Sequence, residues 1–159
     1  MLEKIIKEMI EYFNKDTRRI NHALKVYGFC RTICSLQQLS EKEQLVVNLS
    51  GILHDIGIKE AERKYSSTAG PYQEKEGPAI AKQIMEKGHI EKEIVERVCY
   101  IVGHHHSYNK IDGMDFQILV EADFLVNIYE DAMDSVSVSS IRNKYFKTQA
   151  GIAILAQMY

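Results

Sequence analysis

Little in this chain bends, crosslinks or spans. Its 159 residues include only two prolines and nine glycines, too few punctuation points for a protein of many short strands and turns. No segment alternates with period two for long enough to suggest a sheet. Three cysteines cannot all pair. Cys30 and Cys34 lie one helical turn apart, and Cys99 falls in a helical pattern, so all three read as reduced core residues of a cytoplasmic protein. No apolar run approaches the ~20 residues a membrane-spanning helix needs. The N-terminal "MLEKIIKEMIEYF" intersperses Glu and Lys regularly, which makes it an amphipathic helix rather than a signal peptide. Charge of one sign is missing too. A net charge of −2 gives no global field to recruit a nucleic acid polymer or an anionic membrane, so an anionic substrate has to be drawn by local charge or by metal.

The chain does hold long patterns of period 3.6. They predict helices over roughly 2–13, 17–37, 41–54, 73–87, 91–102, 115–131 and 138–157. Asp16 is placed to cap the second, and Ser40 with Glu43 forms a capping box for the third. Two long loops are expected, 55–72 and 103–114, the second carrying "GHHHSYNKIDG"; loops of that length tend to be functional. The expectation is a single all-α domain over 1–159, a bundle of about seven helices. Its apolar C-terminal "AGIAILAQMY" packs either on the core or on a second subunit of a homo-oligomer.

Polar residues interrupt three of the apolar faces. His22 shares a face with Val26, Phe29 and Ile33. The apolar run Ile52–Leu53 leads into His54–Asp55. Asp123 sits among Phe116, Leu119, Val120 and Val126. Singly, an inward histidine is commonly a hydrogen-bonded core residue and an inward aspartate a cap or an ion-pair member. Together they make two imidazoles and two carboxylates, a set that suits six-coordinate Mn²⁺, Fe²⁺, Co²⁺ or Mg²⁺; the lack of thiolates disfavours Zn²⁺. Four protein ligands leave two octahedral positions open, for a water and a phosphate oxygen. Gly57 is expected to close the helix end near them. Metal affinity should weaken below roughly pH 6, where histidines protonate.

The order His…His-Asp…Asp, carried by "RRINHALKVYGFCRTI", "LSGILHDIGI" and "ILVEADFLVN", strongly resembles the HD-domain superfamily of metal-dependent phosphohydrolases. The resemblance runs over about two thirds of the chain. It implies an all-α fold, His22, His54, Asp55 and Asp123 as metal ligands, and hydrolysis of a phosphate ester by a metal-activated water. In relatives with two metals, a histidine or a histidine pair at the place of His104–His106 serves the second ion, and a further histidine precedes the glycine of a segment like "YQEKEGPAIAKQIM". Gln73, Glu74 and Glu76 stand there instead. Glu76 (or Glu74), His104 and His105 are therefore candidates for a second ion, the alternative being one ion with the histidines acting on substrate. A similarity to cyclic-dinucleotide phosphodiesterases at "HDIG" stops at "DGMDF", which lacks their Gly-Tyr-Pro.

For catalysis, Arg19, Arg18 and Lys59 are the candidate cations, and His104 or His105 the candidate proton donor to the leaving oxygen. The expected substrate is a small, nucleotide-like phosphate ester, with Tyr65, Tyr72 or Tyr108 stacking on a base. Two other classes stay open: a di-iron oxygenase, and a non-catalytic metal-bound nucleotide-signalling module.

Overall fold

The computed structural model describes all 159 residues. It is entirely helical: α1 (Leu2–Phe13), α2 (Thr17–Leu36), α3 (Glu41–Leu53), α4 (Ile58–Tyr65), α5 (Gly70–Lys87), α6 (Lys92–Val102), a 3₁₀ turn (Tyr108–Lys110), α7 (Met114–Glu130), α8 (Ser135–Tyr145) and α9 (Gln149–Met158). None is long and apolar enough to cross a membrane. α3 is the central rod. Every residue from Val46 to Leu53 is buried, because α1, α2, α6 and α7 all pack around it. The expected caps are present. Asp16 accepts the amide of Arg19 at 3.3 Å, and Ser40 and Glu43 exchange the reciprocal bonds of a capping box. The cysteines form no disulfide; Cys30 and Cys34 are buried and Cys99 partly so, and burial pushes the Cys34 thiol up to about 12.

Three local expectations fail for identifiable reasons. Residues 55–72 do not form one loop, since α4 occupies Ile58–Tyr65. That helix is short and mostly charged, with Ala61 its one fully buried residue and an apolar face of only Ile58, Ala61 and Tyr65. Ion pairs also hold it: Glu60 with Arg63 and Glu62 with Arg19 of α2 at 2.7 Å. Gly57 has ordinary helical angles and is not a left-handed cap. Its missing side chain serves close approach, because a Cβ there would lie 2.5 Å from the Gln73 carbonyl and 2.6 Å from the Gly77 amide of α5.

The third failure is the C-terminal helix, which is two helices. Glu121 of α7, fully buried, accepts the backbone amides of Lys147 at 2.6 Å and Thr148 at 2.9 Å and the Thr148 hydroxyl at 2.5 Å. A carboxylate that takes those amides removes them from the helical ladder. Thr148 then caps α9 through the Gly151 amide at 2.9 Å. Ala150, Gly151 and Leu155 turn into the chain's own core. A Cβ at Gly151 would come within 2.0 Å of Glu121 Oε2 and 2.8 Å of Thr148 Oγ1. Gly151→Ala should therefore cost roughly 1–3 kcal/mol by overpacking and lower the melting temperature by several degrees in a thermal denaturation scan. An unchanged midpoint would show that Glu121 is free to move aside.

Candidate metal centre

The C-terminal end of α3 carries His54 into the middle of the bundle, where it is fully buried. Asp55 follows in the turn to α4. His22 arrives from the inner face of α2 and Asp123 from that of α7, so three helices that pack on one another deliver the four side chains to one point. His22 Nε2 lies 3.1 Å from Asp123 Oδ1, 3.2 Å from His54 Nε2 and 3.5 Å from Asp55 Oδ2. His54 Nε2 lies 3.5 Å from both Asp55 Oδ2 and Asp123 Oδ1.

The tautomers are set from behind. His54 Nδ1 donates to the Gly51 carbonyl at 3.0 Å, and His22 Nδ1 donates to Glu130 Oε2 at 2.9 Å. With Nδ1 protonated in each neutral ring, both Nε2 atoms present lone pairs inward. Two lone pairs and two carboxylates converging in a buried space repel unless a positive charge sits among them. An ion about 2.1 Å from each atom would hold neighbouring ligands roughly 3.0 Å apart in an octahedral site and roughly 3.4 Å apart in a tetrahedral one. The observed spacings of 3.1–3.5 Å lie within about 0.1 Å of that range, and nitrogen with carboxylate oxygen is a donor set for a hard or borderline divalent cation. His22, His54, Asp55 and Asp123 thus fit a metal ion.

Electrostatics tell the same story. Burial depresses the His54 imidazole, but Asp55 and Asp123 outweigh it and hold its pKa at about 9. His22 is raised against burial by Asp123. Asp55 and Asp123 are held well below the usual carboxylate range, burial notwithstanding, by the facing imidazoles. Without an ion the pocket takes protons instead. Protons and a metal ion therefore compete for the same two imidazoles, and the facing carboxylates favour the protonated rings.

A second group adjoins the first through Asp55. Its Oδ1 faces His105 Nε2 at 3.3 Å, and Asp55, His105 and His106 bring ligand atoms within 4.8 Å of one another. His105 Nδ1 donates to the Val102 carbonyl at 2.8 Å, which leaves Nε2 buried without a hydrogen-bond partner. His106 Nε2 lies 3.4 Å from Gln73 Oε1, and the Gln73 amide nitrogen is tied to the Thr68 carbonyl at 2.6 Å. That bond aims the side-chain oxygen of Gln73 at the histidines. Burial and the neighbouring His105 lower His106 to about 4, so it stays a neutral donor of electron pairs.

Several residues singled out in the sequence are elsewhere. His104 is turned aside: its Nδ1 donates to the Tyr100 carbonyl at 2.7 Å and its ring packs on Tyr100. Glu76 pairs with Lys64 at 2.7 Å and accepts from the Tyr65 hydroxyl at 2.8 Å. Glu74 caps the histidine turn, accepting the His106 amide and the Ser107 hydroxyl, both at 3.0 Å. Lys59 donates to the Tyr12 carbonyl at 2.7 Å and lies over the Tyr12 ring; it ties α4 to α1 and is not at the site. Arg19 borders the site but is clasped by both oxygens of Glu62 at 2.7 and 2.8 Å and by Asp16 at 3.0 Å. Arg18 borders it exposed and without an ion-pair partner. Tyr65 and Tyr72 stack on each other with centroids 4.3 Å apart, and Tyr108 packs on Phe124 and Tyr145. None of the three lines the cleft beside His22 and Asp55.

Comparison with known proteins agrees with this geometry. The HD domain family model matches residues 19–138, a span that contains every group of the two clusters. The chain belongs to the HD domain family. A solved HD structure, described as a predicted HD superfamily hydrolase from an uncultured Thermotogales bacterium, superposes with a TM-score of 0.70 at 19% identity, covering 99% of this chain and 84% of that one. At that identity the likeness is one of fold. No curated protein sequence matched significantly. Membership of the HD family implies a bound divalent metal, which the two His/Asp clusters are able to hold.

Sequence reading did not single out His106 or Gln73 for the second cluster, and it missed Glu130 altogether. Glu130 ends α7, seven residues after Asp123, which puts the two on one helical face. It holds His22 from behind and is itself paired with Lys25 of α2. Burial opposes its ionisation, but Lys25 and His22 hold its carboxyl below the usual range.

Proposed function

We propose that this HD domain is a metal-dependent phosphohydrolase of small phosphate esters. The observation that carries the reading is the convergence of four electron-pair donors, with tautomers fixed, at spacings of 3.1–3.5 Å. A divalent ion bound there supplies Lewis acidity and a water acidic enough to attack near neutral pH. His22, His54, Asp55 and Asp123 would hold it, and Asp55, His105, His106 and the side-chain Oε1 of Gln73 would hold a second ion beside it. Glu130 and the Gly51 carbonyl keep the two imidazoles facing inward. Arg18 offers an uncommitted positive charge to a phosphoryl oxygen, while the charge of Arg19 is largely satisfied by Glu62 and Asp16. His105 is the remaining candidate to carry a proton to the leaving oxygen if only one ion binds.

A di-iron oxygenase is less well supported, because a neutral amide, Gln73, occupies the place of an imidazole ligand. A purely binding role is disfavoured because all four inner ligands are present. The test is hydrolysis of p-nitrophenyl phosphate by protein stripped with chelator and reloaded with Mn²⁺, Co²⁺, Fe²⁺ or Mg²⁺. Turnover that appears only on reloading is expected. Silence with every metal would remove the hydrolase reading.

A further inference from the structure

The metal centre opens onto a cleft of about 410 Å³ between α2, α4, α7 and the segment before α5. Its lining is unlike a nucleotide pocket. Ile58 is the one hydrophobic residue among eleven, and no phenylalanine or tyrosine lines it. A nucleobase gains its binding energy largely from stacking and from apolar burial of its faces, and this cleft supplies neither.

Charge narrows the choice further. The lining holds five carboxylates against two arginines, so it stays net negative even with one divalent ion in place. Arg19 is already neutralised, which leaves Arg18 as the free cation. One phosphoryl group is accommodated by the ion and Arg18; a chain of phosphates would run along carboxylates.

What the cleft offers instead is hydrogen bonding. The side chains of Thr68, Asn127 and Asp131 line it and have no partner within the protein. Asp123, Asn127 and Asp131 follow one another at intervals of four residues on α7 and its C-cap. They rise from the ion in steps of roughly 6 Å. A ligand whose phosphate sits on the ion would place hydroxyl groups one and two such steps away.

Resting on the phosphohydrolase reading above, we propose that the substrate is the monophosphate of a small, non-aromatic, hydroxyl-rich molecule, a sugar or polyol phosphate. The phosphoryl group binds at the ion and Arg18. Hydroxyls donate to Asp131 and to the Asn127 side-chain oxygen, and accept from Thr68 and from the Asn127 amide. Water adds to phosphorus, the bond from phosphorus to the ester oxygen breaks, that oxygen takes a proton, and the products are the free polyol and inorganic phosphate.

The test is a panel for the Mn²⁺-loaded full chain: hexose, pentose and polyol monophosphates, nucleoside mono- and triphosphates, and p-nitrophenyl phosphate. The best sugar or polyol phosphate should exceed every nucleotide in kcat/KM by at least roughly a hundredfold, since a site built for hydroxyls discriminates strongly against ligands that lack them. Asn127→Leu should raise KM for that substrate roughly tenfold, the loss of one good hydrogen bond. Calorimetric titration with Ca²⁺ replacing Mn²⁺ should give the same order of affinities without turnover. Hydrolysis of p-nitrophenyl phosphate with nucleotides equal to or better than sugar phosphates would overturn the substrate class and leave the hydrolase standing. No hydrolysis of any member, p-nitrophenyl phosphate included, would overturn both.

Discussion

Asp55→Ala should abolish metal-dependent hydrolysis and strip the protein of bound metal, while the far-ultraviolet circular dichroism of the helical bundle stays unchanged. Asp55 is the one side chain that faces both clusters: Oδ2 lies 3.5 Å from His22 and His54, and Oδ1 lies 3.3 Å from His105. Loss of this carboxylate takes away a ligand of either candidate ion and the negative charge that offsets them. Outer-sphere partners alone are worth about 10- to 100-fold in metal affinity, so loss of a shared inner ligand should exceed that. The fold does not depend on it. Leu53 and Ile56 on either side stay packed in the core, and Asp55 makes no backbone cap. Metal content by elemental analysis and turnover measured on one preparation would decide the matter. Retention of full turnover by Asp55→Ala would refute the assignment.

Glu130→Ala should weaken metal binding by roughly 10- to 100-fold without touching an inner ligand. The cause is the tautomer. Glu130 Oε2 accepts the His22 Nδ1 proton at 2.9 Å; without it, that proton is free to move to Nε2, where it blocks the ion. Glu130→Gln keeps an acceptor oxygen but loses the charge and the Lys25 ion pair, so it should fall between wild type and Glu130→Ala. Competition titration against a fluorescent chelator reads the three affinities. That graded order separates positioning of His22 from mere structural damage, which both variants would share. Equal affinity in all three proteins would show that His22 needs no outer support.

The convergence of the inner side chains was legible in the sequence because they break apolar stripes. His22, His54 and Asp123 are polar where the helical period demands a core residue, and burial exposes such a misfit. Glu130 carried a fainter signal. It shares a face with Asp123 but sits in the last turn of α7, where a carboxylate needs no special explanation. Which of three consecutive histidines faces inward was not legible at all. The segment 103–107 is a turn, without the fixed angular step of a helix, and the structure turns His105 and His106 inward and His104 away.

Long-range contacts hid the rest. α4 has an apolar face of only three residues, and part of its anchoring comes from charges on other elements, such as Arg19, which is 43 residues from Glu62 in the chain. The same pairing removes Arg19 as a free cation, a fact invisible while 55–72 read as a loop. The break between α8 and α9 is imposed by Glu121 of α7, and within 138–157 only Thr148, a residue type that caps helices, marks it. Glu76 and Gln73 share a helical register that admits either as the inward residue. The close approach of Gly57 to Gln73 and Gly77 decides for Gln73.

The most direct measurement is the anomalous scattering of crystals of the Mn²⁺-loaded protein, collected on the low- and high-energy sides of the manganese edge. The account predicts a manganese peak enclosed by His22 Nε2, His54 Nε2, Asp55 and Asp123, at roughly 2.0–2.3 Å from each. A loaded crystal with no peak there, or with the metal bound elsewhere on the chain, would contradict it.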